Sequence, residues 1–262
     1  MARLSDKTWP GEELAAWANL AQRAGGIAEL QAAGRTIILR GQPQQWTLEP
    51  SLLRAVPSGL SSFDIEQAEK AAMDHFRSQA HLSPDEHLRI ANVDGSVELA
   101  WWALMQHYGA PTRLLDWTAS PYVAAYFAAE QSPQADGAVL VIDADRLNRH
   151  LRESNQSLGH LGNSIIRTPF EPPALMAFTP ERKTRRLVTQ QGYFTVATHP
   201  NVQHDELLEA AGAILGRWII PSGLKPLTLQ HLRTMNVSAQ TLFPGLDGLG
   251  RTAGELIKTY RP

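Results

Sequence analysis

From Leu114 to Asp143 the chain spells out a strand, a capped helix and a second strand, and this run constrains the fold more than any other feature. Leu114 to Thr118 reads as a short strand. Ser120 can cap the helix that follows, its hydroxyl taking an orphan N–H of the first turn. Pro121 fits that turn, because its missing N–H costs nothing there. The helix is expected to run to about Ala129. Gly137-Ala-Val-Leu-Val-Ile-Asp143 has no polar interior position and reads as a buried strand. Asp143 or Asp145 can cap a further helix through Leu151.

The rest of the chain adds strands and helices of unequal length. Residues from Gly11 to Ala33 have helical character, with Leu14, Trp17 and Leu20 spaced by three, and Gly25-Gly26 is expected to break the stretch into two helices. Thr36 to Gly41 is rich in β-branched residues and reads as a strand stopped by glycine. A polar loop follows. Ile65 to Gln79 is expected to be a helix with Ala68, Ala71, Ala72, His75 and Phe76 on one face. Val97 to Tyr108 is mostly apolar and so predicts a buried helix. Ser154 to Glu171 is polar and reads as a loop. Ala174–Thr179 and Tyr193–Thr198 look like strands around a basic turn. His204–Ala213, Leu224–Met235 and the tail from about Thr252 read as helices, with Arg217–Ile220 a strand. Strand clusters interrupted by unequal helices predict an α+β fold rather than a regular βαβ alternation. With no repeat, low-complexity segment or linker, residues 1–262 read as one domain carrying helical additions at both ends.

Composition narrows the functions open to such a domain. The chain has no Cys, which excludes disulfides, thiol nucleophiles and Cys-ligated zinc. Lys and Arg total 24 against 26 for Asp and Glu, so a whole-surface footprint for nucleic acid is not expected, although a local basic patch is compatible with that balance. The start, MARLSDKTWPGEELAAW, has no apolar signal-peptide core, and no run approaches the roughly 18 apolar residues of a membrane span. The expectation is a cytoplasmic protein without a membrane partner. The nine histidines are scattered with no HExxH or comparable spacing, so no metal site is expected. There is no GxxxxGK[ST] loop, GxGxxG loop or GxSxG elbow.

Several residues can still carry chemistry. Arg40 closes an apolar strand and precedes Gly41. It either meets solvent or a carboxylate, or it holds phosphate at a cleft where glycine lets a ligand approach the backbone. Thr118 and Ser120 stand at a strand-to-helix junction, where hydroxyls can bond a ligand but more commonly serve the helix itself. Trp117 can wall a ligand site or fill the core. His107 and Tyr108 end the buried helix. Gln190-Gln191-Gly192 is either a polar turn with glycine in a special conformation or an amide pair that orients a ligand. Arg182, Lys183, Arg185 and Arg186 form a basic run that usually means a solvated face and otherwise contacts phosphates.

Taken together these segments resemble a known family. Ile38-Leu39-Arg40-Gly41-Gln42, followed by Trp46, Leu48, Pro50-Ser51-Leu52 and Arg54, resembles the opening of the FRG domain, named for a Phe-Arg-Gly motif, with Leu39 in place of the Phe. Gln106-His107-Tyr108-Gly109-Ala110-Pro111-Thr112-Arg113-Leu114-Leu115-Asp116-Trp117-Thr118 and its sequel, Ser120-Pro121 to Ala128, resemble that family's most diagnostic block. Gln190-Gln191-Gly192 with Phe194-Thr195, and Thr241-Leu242-Phe243-Pro244 with Leu246-Asp247-Gly248-Leu249, are similar to its later motifs. The resemblance spans roughly residues 36–250, with residues 11–33 a helical N-terminal extension.

The motif order Arg, Thr/Ser, Gln further resembles ADP-ribosyltransferases of the Arg-Ser-Glu class. That resemblance implies a split β-sheet core with flanking helices and NAD as substrate without a metal. Arg40 would then grip the pyrophosphate, with Gly41 letting the cofactor approach the backbone, and Thr118 and Ser120 would position the nicotinamide ribose. Trp117, His107 and Tyr108 would line the pocket, with Gln190 or Gln191 at the position of the transferase Glu. A neutral Gln cannot neutralise the cation that develops there, so an acid from among Glu98, Asp116, Glu171 and Glu181, a differently activated acceptor, or ligand binding without turnover is expected. The resemblance implies a toxin or antiphage effector acting on a nucleic-acid or protein acceptor, held in check by an antitoxin. The alternatives are a non-catalytic nucleotide or nucleic-acid binding module and a metal-independent nuclease using His107 and Arg113.

Overall fold

The computed structural model describes residues 11–82, 97–154, 172–181 and 183–259. Its strands are β1 (Gly11–Glu13), β2 (Ile37–Gln42), β3 (Leu114–Thr118), β4 (Gly137–Asp143), β5 (Leu175–Phe178), β6 (Gly192–Ala197) and β7 (Ile214–Ile220). They form one sheet in the order β1-β7-β4-β2-β3-β6-β5, antiparallel throughout except for the edge pair β1–β7. Around it lie α1 (Trp17–Ala32), α2 (Ser51–Ala55), α3 (Ser62–Ala80), α4 (Val97–His107), α5 (Pro121–Ala129), α6 (Ala144–Ser154) and α7 (Arg185–Thr189). The C-terminal part adds α8 (His204–Ala210), α9 (Lys225–Thr234), α10 (Ala239–Leu242) and α11 (Leu246–Thr259). The fold class is α+β. Most of the polar stretch 154–171, and Arg182 of the basic run, lie outside the described residues.

The centre of the sheet follows from the most apolar strand. All seven residues of β4 are buried, and β2 pairs with it over its whole length, from Ile37 opposite Asp143 to Gln42 opposite Ala138. Alternation sends Ile38, Leu140 and Ile142 to one core, and Ile37, Leu39, Val139 and Val141 to another under α5. Two glycines set how closely α5 lies on these strands. A Cβ at Gly41 would fall 1.9 Å from the Ala124 carbonyl oxygen, and one at Gly137 would fall 2.2 Å from that of Ala128. The helix begins as its sequence dictates, with Ser120 Oγ accepting from the Val123 N–H at 3.3 Å and Pro121 in the first turn.

Between β2 and β3 the ladder shrinks to one rung, Leu39 opposite Thr118. On one side of that rung Gln31 of α1 bridges the opening, its Nε2 donating to the carbonyls of Ile37 (3.0 Å) and Ala119 (2.8 Å). On the other side the strands part, and Arg40 Nη1 donates to the Asp116 carbonyl at 2.6 Å, where a ladder N–H would otherwise serve. Residues paired across a ladder share a face, so Leu39, Thr118, Asp116 and Leu114 point the same way. Leu39 belongs to the core under α5, whereas Leu114 belongs to a core with Trp101, Trp102 and Met105 of α4. The same face of the sheet therefore carries two separate cores, and the gap between them opens over the parted strands.

Several expectations are corrected. Gly11–Glu13 is a strand, three exposed residues added in parallel to β7, so residues 11–33 are not a purely helical extension. Helix α1 runs unbroken through Gly25-Gly26, which face solvent, while Leu20, Ala24 and Ile27 bury the opposite side; that packing outweighs the weak local propensity of two glycines. The buried face of α3 is Ile65, Glu69 and Met73, and Ala68, Ala71, Ala72 and His75 are exposed. Its burial is set by Arg113, whose buried guanidinium pairs with Glu69, stacks 4.7 Å from the Trp102 ring centre and reaches the Thr198 carbonyl at 3.3 Å.

Candidate functional site: a cleft over the parted strands

Two adjoining cavities occupy the gap between α5 and α4, with about 600 and about 690 Å³ of space open toward solvent. The first lies over the parted strands, lined by Arg40, Gly41, Trp117, Thr118 and Phe127. The second lies beside it, between α4 and the segment carrying α7. Asp116, Arg186 and Gln190 line both and form the passage from one to the other.

Arg40 is the half-buried cation at the bottom of the first cavity. Burial lowers its guanidinium from the ordinary arginine value, the Asp116 carboxylate opposes that shift, and the nearby Arg54 adds to it. Its Nε is buried without a hydrogen-bond partner in the protein. Arg186 is the second cation. Burial lowers it as well, with Asp116 again the main opposing charge, and its guanidinium lies 4.6 Å from the ring centre of Phe243. The charged side chains that line the cavities are thus two guanidiniums and one carboxylate, a set that suits a phosphate-bearing ligand, while Asp247, Glu130 and Arg251 act on Arg186 from outside the lining.

Asp116 is held by a chain of hydrogen bonds whose direction can be worked out. The Leu114 N–H donates to Thr112 Oγ1 at 3.2 Å, so the Thr112 hydroxyl proton goes to Gln106 Oε1. That fixes the Gln106 amide with its Nε2 donating to Asp116 Oδ2 at 2.7 Å. The Asp116 side chain is otherwise exposed in the cleft, which leaves lone pairs for a ligand. Of the four acids weighed from sequence, Glu98 and Glu181 line neither cavity, and Glu171 lies outside the described residues.

The hydroxyl and amide residues divide between the cleft and the fold. Thr118 Oγ1 donates to the Gln190 carbonyl at 2.6 Å and accepts from the Ser120 N–H at 3.0 Å, tying β3 to the end of α7. Ser120 lines neither cavity, and its hydroxyl is spent on the cap. Gln190 lines both, with its Nε2 donating to the Leu242 carbonyl at 3.0 Å. Gln191 is exposed and outside the lining. It, rather than Gly192, holds the left-handed conformation of the turn, at φ 47°. Gly192 answers a different need, since a Cβ there would collide with the Leu187 side chain.

Trp117 contributes to the wall of the first cavity but is 3% exposed and mainly core. Its Nε1 donates to Thr195 Oγ1 at 2.8 Å, and the Thr195 hydroxyl shares a hydrogen bond with Nδ1 of His204 at 2.8 Å. His204 is fully buried, and desolvation, reinforced by the Arg40 charge, pushes it down to about 3, so it is neutral. His107 lines the second cavity, and Tyr108 stands outside the lining, 48% exposed, with its ring edge-on to His107. Gly41 lines the first cavity and also allows α5 to pack closely on β2. Arg113, the expected partner of His107 in a nuclease, is sealed in its ion pair with Glu69. Among the described residues no cluster of His, Asp or Glu could hold a metal, and no helix is long and apolar enough to cross a membrane.

Arg186 is the functional candidate that sequence reasoning left in a solvated basic run. Its neighbours diverge: Lys183 sits 6.0 Å from the Tyr193 ring centre and Arg185 is exposed, whereas Arg186 turns inward onto Phe243. The available signal was Phe243 in the C-terminal motif, an aromatic that also carries Arg251 at 3.8 Å from its ring centre.

Residues 35–137 match the model of the FRG domain, a span running from the start of β2 to the start of β4. Arg40, Gly41, His107, Asp116 and Thr118 fall inside the match; Arg186 and Gln190 fall beyond it. No curated protein and no solved structure matches the chain.

Proposed function

We propose that the chain is an NAD-dependent ADP-ribosyltransferase or NAD-cleaving enzyme acting from this cleft. The observation that carries the reading is the convergence of Arg40, Arg186 and Asp116 over the parted strands. In this reading the two guanidiniums hold the pyrophosphate, with bidentate geometry available to each. Breaking the bond between ribose C1 and the nicotinamide nitrogen sends the electron pair to nicotinamide and leaves positive charge on the ribose. Asp116, oriented by Gln106 and Thr112, supplies the negative charge facing that carbon, a role that Gln190 as a neutral amide does not fill. The acceptor nucleophile, on a nucleic acid or protein, then bonds to the same carbon and loses its proton. A toxin or antiphage role, with an antitoxin partner, belongs to the same proposal.

Purified protein with NAD labelled in the adenylate half, offered RNA, DNA and protein acceptors, tests it. Label transfer or nicotinamide release by the wild type, lost in Arg40→Ala with an unchanged melting curve, is the expected result. Neither product across all acceptors overturns it. Gln190, a neutral amide lining both cavities where the resemblance implies a transferase Glu, favours a second reading, a nucleotide-binding module without turnover. Calorimetric binding of NAD with no nicotinamide released would select that reading.

A further inference from the structure

We infer that the second cavity is a base subsite, which takes the planar heteroaromatic ring of a nucleotide whose phosphates rest on Arg40 and Arg186. The inference rests on the phosphate-binding part of the reading above and adds where the ring goes.

The two cavities differ in chemistry. The first sets Arg40 and Thr118 beside Leu39, Trp117 and Phe127. The apolar lining of the second comes from Ala100, Ala103 and Leu104 of α4, Leu187 of α7 and Phe194 of β6. Ala100 and Ala103, one turn apart, supply only methyl groups to this wall, while Trp101 and Trp102 between them are buried in the core beneath. The small side chains of the helix thus leave room for a flat ring beside an apolar lining. Polar side chains also line it, His107, Gln106 and Thr184, and Gln106 Nε2 keeps a second hydrogen beyond the one given to Asp116.

The passage between the cavities fixes the order of ligand parts. It is formed by Asp116, Arg186 and Gln190, so a molecule reaching from Arg40 to the apolar space crosses the Asp116 carboxylate. A ribose fits that crossing, because its hydroxyls donate and the carboxylate accepts. Phosphate, ribose and ring thus meet cation, carboxylate and apolar wall in sequence. Ala103 is then the residue that sets whether a ring can enter.

The test is calorimetric binding of three probes, inorganic pyrophosphate, ADP and nicotinamide mononucleotide, to wild type and Ala103→Leu. Leucine is a good helix former, ranking just below alanine, and fills the space. The wild type is expected to bind at least one nucleotide tenfold or more tighter than pyrophosphate. Ala103→Leu is expected to erase that difference while keeping the pyrophosphate Kd within twofold. Loss for ADP assigns the space to adenine, and loss for the mononucleotide assigns it to nicotinamide. Nucleotides no tighter than pyrophosphate on the wild type, or an unchanged preference in Ala103→Leu, overturn the subsite. Should Ala103→Leu melt early, Ala100→Leu on the same wall carries the comparison. Pyrophosphate binding undiminished by Arg40→Ala counts instead against the phosphate reading, so the two failures are distinguishable.

Discussion

His204 gives a sharp prediction about stability, because it is buried, neutral and hydrogen-bonded through Nδ1. Folding moves its pKa from the ordinary 6.5 to about 3. Between those values the unfolded chain binds a proton that the native state does not, so stability falls as pH falls. Linkage at about 1.4 kcal/mol per unit gives a loss of about 2 kcal/mol between pH 7 and pH 5, continuing to fall toward pH 3. Glu69 and Glu130 pull the other way, since burial raises both and lets the native state take up protons first. The clean quantity is therefore a difference between proteins. His204→Asn keeps a polar partner near the Thr195 hydroxyl and removes the titration. Urea unfolding followed by tryptophan fluorescence at pH 7 and pH 5 should show the wild type losing about 2 kcal/mol more than His204→Asn. Parallel losses in the two proteins would refute the reasoning, since they would mean that His204 protonates as readily folded as unfolded.

Other substitutions probe the supports of the cleft. Gly41→Ala forces a methyl group into the Ala124 carbonyl, so α5 must lift from β2; a cost of about 3 kcal/mol is expected in the urea midpoint, at the upper end for an overpacked site. Gln191→Gly relieves a left-handed backbone at an exposed position and should stabilise by up to about 1 kcal/mol, read as a higher melting temperature with ligand binding unchanged. Thr112→Val keeps the shape but orphans the Leu114 N–H and Gln106 Oε1. It should cost about 1–3 kcal/mol in urea unfolding and also weaken activity, because the Gln106 grip on Asp116 is no longer fixed.

The parts of the fold that were legible in the sequence are those specified locally. Ser120 and Pro121 announce α5, and Asp143, which accepts from the Arg146 N–H, announces α6. The apolar run of β4 reads directly as a buried strand. Elements that depend on distant partners were not legible. β1 exists because β7 offers an edge, and the face of α3 is chosen by Arg113, 44 residues from Glu69. The candidate site divides the same way. Arg40, Thr118 and Gln190 could be picked out by type and position, and they do share one cavity. The parting of β2 and β3 that makes the cavity is a property of sheet packing with no local signature. The inward turn of Arg186 depends on Phe243, 57 residues later in the chain.

The catalytic assignment of Asp116 is the claim on which the functional account depends, and the rate of nicotinamide release from NAD by wild type and Asp116→Asn tests it most directly. The amide is isosteric and can still meet Gln106, so folding and NAD affinity should stay near wild type while the turnover rate drops by about a hundredfold or more, the usual scale for losing a charge that faces the transition state. An Asp116→Asn protein that turns over NAD at the wild-type rate, or a wild type that releases no nicotinamide at any NAD concentration, would contradict it.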